Sequence, residues 1–275
     1  MQISFALTAS LRGEQMFDLS AYVHVPSCEE AVNSSQAFNT FKSDRRFTTI
    51  LEHTAIDNSH QFMNQIISTY TDYAKLIDWK LVKQNDLLGS AHIIEYPQLE
   101  SVVALDDYLF SPSTVAYVFK ALDILNHIQQ SKLNSVDILE IGAGYGGQCK
   151  MIIDMANLFN VKINSYTLVD LYWPNMLQKK YLEELGYSEK IKFISYESLL
   201  DGDTLPDFNY LISIYALGEF LEDVQQFYVD KMVSFPNHYL VWNTPKIHEK
   251  FLLSVIEEEK PRTGPYNVLI KSRVA

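Results

Sequence analysis

The sequence predicts an α/β protein: a mostly parallel, doubly wound sheet preceded by a helical segment. Three observations predict it. After Asn134, short apolar runs alternate with longer periodic segments, the pattern of parallel strands joined by crossover helices. Before that point apolar residues recur at spacings of three and four, the period of a helix face. Between the first apolar run and the first periodic segment lies a glycine-rich stretch, placed where open sheets of this kind bind ligands, outside the carboxyl ends of the strands.

The elements follow in order. Ser27 with Glu30 three residues on is a capping-box signature and opens a helix to about Phe41. A longer helix is expected from Asn58 to Trp79, with Phe62, Ile66, Tyr70, Tyr73 and Ile77 on one face. Asn85 to Gly89 reads as a turn. Ser111 followed by Pro112 supplies an N-cap and a proline at the first helical position, and the helix that follows carries Val115, Phe119, Leu122, Leu125 and Ile128 inward. Strands are expected near Val136 to Ile141, Lys162 to Val169, Ile191 to Ser195, Tyr210 to Ile214 and Tyr239 to Asn243. Helices fit between and after them: Gly147 to Phe159, Pro174 to Leu185, Glu219 to Val233, and Lys246 to Glu258. A last extended stretch is Tyr266 to Ser272. Residues 1–133 thus form a mainly helical cap or substrate region, and residues 134–275 the sheet-based core.

Composition narrows the partners. With 275 residues and 47% hydrophobic content the chain supports a substantial core. A formal charge of −12 disfavours a nucleic-acid partner, which is met by a basic face. The local basic run Lys42 to Arg46 suits at most a small anion. Two cysteines, Cys28 and Cys149, form no metal-ligand spacing and no disulfide framework, so a reducing compartment is expected. The apolar stretch at Met1 to Ser10 lacks a basic n-region, and no run of about 18 apolar residues occurs. The expectation is a cytoplasmic protein without a membrane partner. The helical cap suits a homodimer interface as readily as a lid, which leaves the oligomeric state open.

The chemistry concentrates in Ile138-Leu139-Glu140-Ile141-Gly142-Ala143-Gly144-Tyr145-Gly146-Gly147. Glycines are needed where the backbone turns sharply and approaches a ligand, with positive φ available and no Cβ in the way. The same letters satisfy G-x-G-x-x-G through Gly142, Gly144 and Gly147, so a dinucleotide is the rival ligand. Two features count against it. Glu140 at the strand end repels a pyrophosphate and suits a cation, and the helical preamble with the early chain end leaves a dehydrogenase no room for its catalytic domain. Asp170, closing Tyr166-Thr167-Leu168-Val169-Asp170, is placed to accept hydrogen bonds from both hydroxyls of a ribose, which serves either cofactor.

These residues resemble a class I S-adenosylmethionine methyltransferase and, more narrowly, the sugar O-methyltransferase family. The narrower likeness rests on the glycine segment with Gln148, on Phe110-Ser111-Pro112-Ser113-Thr114, and on Gly218-Glu219-Phe220, and it spans about residues 80 to 245. It implies a Rossmann-like methyltransferase core under a helical N-terminal cap, with S-adenosylmethionine as cofactor, S-adenosylhomocysteine as product and a hydroxyl of a sugar or glycan as acceptor. It assigns Glu140, Gly142, Ala143, Gly144 and Gly146 to the methionine part, and Asp170 and Leu171 to the ribose. Glu197 and Ser198 fall near the adenine, and Tyr215 completes the cofactor set. The family core ends in an antiparallel strand pair, of which only Tyr266 to Ser272 is visible in this sequence.

For the acceptor, Glu219 is the first candidate general base and His248 the second, since a sugar hydroxyl needs a proton acceptor. Asn243 is a candidate to fix an acceptor hydroxyl. Among 17 Tyr and 15 Phe, Tyr96, Tyr108, Tyr145, Tyr172 and Trp173 are candidates to line a cleft against a sugar ring. No acid ends the fourth strand, where Ser213-Ile214-Tyr215 stands, so no metal is expected. The alternatives are a methyltransferase of another small hydroxylated metabolite, a non-catalytic binding protein on the same fold, and a nicotinamide-dependent oxidoreductase. Turnover separates the second from the first, and NAD binding identifies the third.

Overall fold

The structure is a computed structural model that describes residues 23–187, 189–231 and 237–274. The amino-terminal apolar stretch and the expected helix end at Val233 lie outside the described residues.

Short helices build the cap: α1 (Val25–Asn33), α2 (Ser35–Phe38), α3 (Arg45–Thr48), α4 (Ile56–Thr69), α5 (Thr71–Ala74) and α6 (Trp79–Leu87). The single helix expected from Ser27 is two. Pro26 moves the start to Val25, and Ser34, extended at φ −134°, ends α1 while its hydroxyl caps α2 by accepting from Ala37 N. The capping box is unused, because Ser27 is buried inside α1 and Glu30 pairs with Arg46. The helix expected to reach Trp79 breaks at Tyr70 (φ −116°, ψ 31°), whose hydroxyl donates to Asp123 at 2.7 Å. A third helix then starts from Asp78, whose carboxylate caps Lys80 and Leu81, so Asn85 lies in the last turn of α6 and not in a turn of its own.

A two-stranded antiparallel pair, β1 (Ile94–Glu95) and β2 (Leu109–Phe110), leads into α7 (Pro112–Gln130). This helix forms as its sequence dictates. The Ser111 hydroxyl accepts from Thr114 N at 3.1 Å, and Val115, Phe119, Leu122, Leu125 and Ile128 are all buried, each contributing about 1.5–3 kcal/mol of apolar burial.

The main sheet contains β3 (Ser135–Ile141), β4 (Lys162–Asp170), β5 (Ile191–Ser195), β6 (Tyr210–Ile214), β7 (Asn237–Trp242), β8 (Val255–Glu258) and β9 (Val268–Lys271), in the order β5-β4-β3-β6-β7-β9-β8. The first five are parallel. Their connections carry α8 (Gly147–Met155), α9 (Tyr172–Glu184), α10 (Tyr196–Leu200) and α11 (Glu222–Lys231). Alternation along each strand feeds two cores. Val136, Ile138, Tyr166 and Leu168 face a layer that contains α7, α8 and the cap, in one cluster running across residue 134. Leu139, Ile141, Val169, Leu211 and Trp242 face the other side.

The segment expected as a helix from Lys246 to Glu258 is a correction. It holds a short 3-10 turn, Glu249–Phe251, and then β8. Leu- and Glu-rich composition favours a helix locally, but pairing with β9 overrides it. The antiparallel β8-β9 pair completes the sheet that the family resemblance implies. Its exposed edge carries Glu257, paired with Lys271 at 3.0 Å, the charge that keeps an open strand from recruiting another chain. No helix among the described residues is long and apolar enough to cross a membrane.

Candidate functional site

The strand order reverses between β3 and β6: β3 leads outward to β4 and β6 to β7, so the loops leaving these two neighbours diverge and open a crevice at their carboxyl ends. The glycine segment lies there. Gly142, Gly144 and Gly146 have φ of +73°, +60° and +93°, a region that residues with a Cβ enter at a cost. At Gly142 a β carbon would also collide with that of Ala216 after β6. Ser213 fastens the two strand ends, donating to Ile141 O at 3.0 Å and accepting from Leu217 N at 2.9 Å.

Asp170 closes β4 beside this loop. One carboxylate oxygen accepts from Leu171 N at 2.8 Å and the other from Gln178 Nε2 at 2.8 Å. The backbone of Gly144 adds a third contact to this carboxylate; since a carboxylate has about four acceptor sites, acceptor capacity is left for a ribose hydroxyl. Gln178, fully buried on α9, also donates to Gly144 O at 3.0 Å and thereby ties the glycine loop to Asp170. Burial pushes the Asp170 carboxyl up to about 7, against the hydrogen bonds that favour its ionised form.

Glu140 lies beneath the loop rather than along its open face. It is 2% exposed and accepts from Tyr166 OH at 2.6 Å, and burial raises it to about 7. Ala143 is buried and its carbonyl closes the turn onto Gly146 N. Leu171 begins α9 and packs into the second core. Glu197 is exposed and accepts from Tyr172 N at 3.3 Å, on the same side of the site as Asp170, whereas the Ser198 hydroxyl bonds Ser195 O within its own helix turn.

Tyr215, strained at φ +62°, ends β6. Its hydroxyl hydrogen-bonds Glu259, part of a buried group in which Lys120 pairs with Glu259 at 2.8 Å and Thr263 and Asn267 donate to the second carboxylate oxygen. No sequence signal pointed to this network, because bonded partners within it are up to 139 positions apart.

Beyond β6 and β7 the structure brings Glu219 and Asn243 together: the Asn243 amide donates to the Glu219 carboxylate, and Asn243 Oδ1 is buried without a partner among the described residues. Burial raises the Glu219 carboxyl, while the Asn243 bond and nearby His53 oppose it. His248 is not part of this cluster. Its Nε2 meets Gln226 and its Nδ1 accepts from Lys250 N, so the ring caps the 3-10 turn. Among the expected cleft aromatics, Tyr145 and Tyr96 are fully buried core residues bonded to Asn85 and Ser59. Tyr108 bonds its own loop at Val103 O. Tyr172 is exposed and Trp173 Nε1 is buried without a partner.

The cap supplies a roof that the sequence did not announce. Leu51 reaches to within 3.6 Å of the place a Gly144 β carbon would occupy, His53 lies near Glu219, and Thr54 meets Ser113 at 3.4 Å. The expected basic run is not a free patch: Lys42 is buried on Asn85 O, and Arg46 is paired with Glu30 and Asp44. No group of three or more metal-ligating side chains occurs among the described residues. A depression of about 590 Å³, lined in part by Asn160, Lys162, Glu189 and Lys190, lies at the opposite, amino-terminal ends of β4 and β5.

Sheet order, reversed final strand pair and glycine loop together define a Rossmann-like fold of the class I methyltransferase type. The sequence matches no protein-family profile and no curated protein. Among solved structures it is similar to a protein described as a sarcosine dimethylglycine methyltransferase from Galdieria sulphuraria, at 15% identity and TM-score 0.34 over 52% of this chain and 49% of that one. It is also similar to an S-adenosylmethionine-dependent methyltransferase from Aquifex aeolicus, at 14% identity and TM-score 0.40 over 57% and 89% of the two chains. A third is the Bacillus subtilis tRNA methyltransferase TrmK, at 15% identity and TM-score 0.40 over 55% and 64%. The chain thus spans about half the length of the first of these. Nothing about cofactor or acceptor is transferred from them at such values.

Proposed function

We propose that this chain is an S-adenosylmethionine-dependent O-methyltransferase acting on a hydroxyl of a sugar or glycan. The observation that carries the cofactor part is the Gln178 bridge between Gly144 and Asp170, which presents a glycine-rich loop and a carboxylate with acceptor capacity left at the switch point of the sheet. The residues fit the group: the loop turns through three positive-φ glycines beside Asp170, and Asp170 suits vicinal hydroxyls. Diffuse acidity in place of a basic cradle also suits a sulfonium better than a pyrophosphate. The sugar acceptor is supported by the motif resemblance and by the Glu219–Asn243 pair.

When bound, the cofactor supplies an electrophilic methyl group. The chain contributes alignment and proton removal, which are what methyl transfer to a hydroxyl requires. Glu219 takes the hydroxyl proton; it is solvent-accessible, its carboxyl is made more basic by partial desolvation, and it is held in place by Asn243. The unpartnered Asn243 Oδ1 accepts from a neighbouring acceptor hydroxyl.

Glu219→Gln is expected to slow methyl transfer about 10²–10⁴-fold and to leave cofactor affinity unchanged. The check is release of S-adenosylhomocysteine over a panel of sugar acceptors, alongside calorimetry. Wild-type turnover in the variant removes Glu219 as the base.

A further inference from the structure

Both carboxylate oxygens of Glu52 are buried and, among the described residues, have no hydrogen-bond partner at contact distance. Buried polar atoms in native proteins are paired, so such a group calls for an explanation. Burial drives its carboxyl up to about 7, with Lys42 and the nearby hydroxyls of Ser113 and Ser111 acting in the opposite sense and Asp86 adding to the rise. Lys42 favours the ionised form from nearby, but no ion pair at contact distance holds Glu52 among the described residues. Lys42 donates to Asn85 O and lies 4.2 Å and 4.9 Å from the ring centres of Tyr145 and Tyr181, and Asp86 is held by Ser111 N and Thr114.

The position of this carboxylate gives it a use. Leu51, its neighbour, covers Gly144, and Gly144 is tied on its other side to Asp170 through Gln178. Tyr117 and Tyr145, whose hydroxyls burial raises with the Glu52 charge adding to the rise, pack against Gly147. Glu52 is thus carried by the same short segment, Leu51 to Thr54, that covers Gly144. A ligand that gives its ribose to Asp170 and runs over Gly144 passes beneath that segment.

We infer that Glu52 receives the α-ammonium group at the amino-acid end of the cofactor, an assignment that rests on the methyltransferase reading. A buried carboxylate without a close partner destabilises the free protein and gains strong charge-assisted hydrogen bonds when a cation arrives. The position is thus kept for binding at the expense of stability.

The test is calorimetry on the full chain with two probes, S-adenosylhomocysteine and 5′-methylthioadenosine. The second shares the adenosine and thioether but lacks the amino-acid end. In Glu52→Gln, affinity for S-adenosylhomocysteine is expected to fall at least tenfold while affinity for 5′-methylthioadenosine stays within twofold. The melting temperature of the ligand-free variant is expected to equal or exceed that of the wild type, whereas a purely structural role would lower it. An unchanged affinity for S-adenosylhomocysteine, with or without loss of turnover, overturns the assignment. An equal loss for both probes overturns it as well. If the wild type binds neither probe, the methyltransferase reading itself falls, an outcome distinct from failure at Glu52 alone.

Discussion

Glu259→Ala is expected to destabilise the protein by about 3–5 kcal/mol, because it leaves the Lys120 ammonium buried without its counter-ion. The two side chains are 1% and 4% exposed, and the carboxylate also accepts from Tyr215, Thr263 and Asn267. Burial pushes the Glu259 carboxyl up, but Lys120 and these donors outweigh it and hold it at about 2. Since the folded value lies below the ordinary one of 4.5, this contribution is fully present above 4.5 and is lost as pH falls through about 2. Urea denaturation at neutral pH should show the full difference, and the gap between variant and wild type should narrow as pH falls from 4.5 towards 2. For a chain of this size the corresponding fall in Tm is on the order of 10 °C. A loss below about 1 kcal/mol would show that the pair gives no more than an exposed one does. The network also bears on the site, since Tyr215 at φ +62° directs the chain from β6 into Ala216 and the Gly218-Glu219 turn.

Asp170→Ala is expected to weaken S-adenosylhomocysteine binding by roughly two to four orders of magnitude, on the basis of two hydrogen bonds to a charged group at about 1.5–3 kcal/mol each. Part of the loss is indirect. Gln178 loses one of its acceptors and with it some of its hold on Gly144 O. Asp170→Asn, which keeps one acceptor oxygen, should be intermediate. Calorimetric titration of both variants measures this directly, and near-wild-type affinity in the alanine variant would detach Asp170 from the ribose.

The parts of the molecule that were legible in the sequence have local causes. Buried parallel strands read as apolar runs, and β5 and β6 fall on the expected residues. Ser111-Pro112 announces α7 because an N-cap and a proline act within one turn. The glycine loop is legible because positive φ selects glycine. What was not legible depends on residues distant in the chain. Gln178 is one polar residue on a helix until folding sets it between Gly144 and Asp170, and the Leu51 to Thr54 roof contains no motif. The direction of an aromatic side chain is equally invisible, which is why Tyr145 reads as a cleft residue yet is fully buried. The carboxyl-terminal error has the same origin. Val255 to Glu258 has helical company in sequence but a strand partner in space, and the shift from helix to strand leaves His248 capping a short turn.

The central claim is that the switch-point crevice takes a sulfonium nucleoside and not a dinucleotide. Calorimetric titration of the wild-type protein with S-adenosylmethionine and S-adenosylhomocysteine, with NAD as the comparison, tests it most directly. Saturable binding of both sulfur ligands at one site per chain, with none of NAD, is the predicted result. Binding of NAD with neither sulfur ligand accepted would contradict the account and return the glycine loop to its dinucleotide reading.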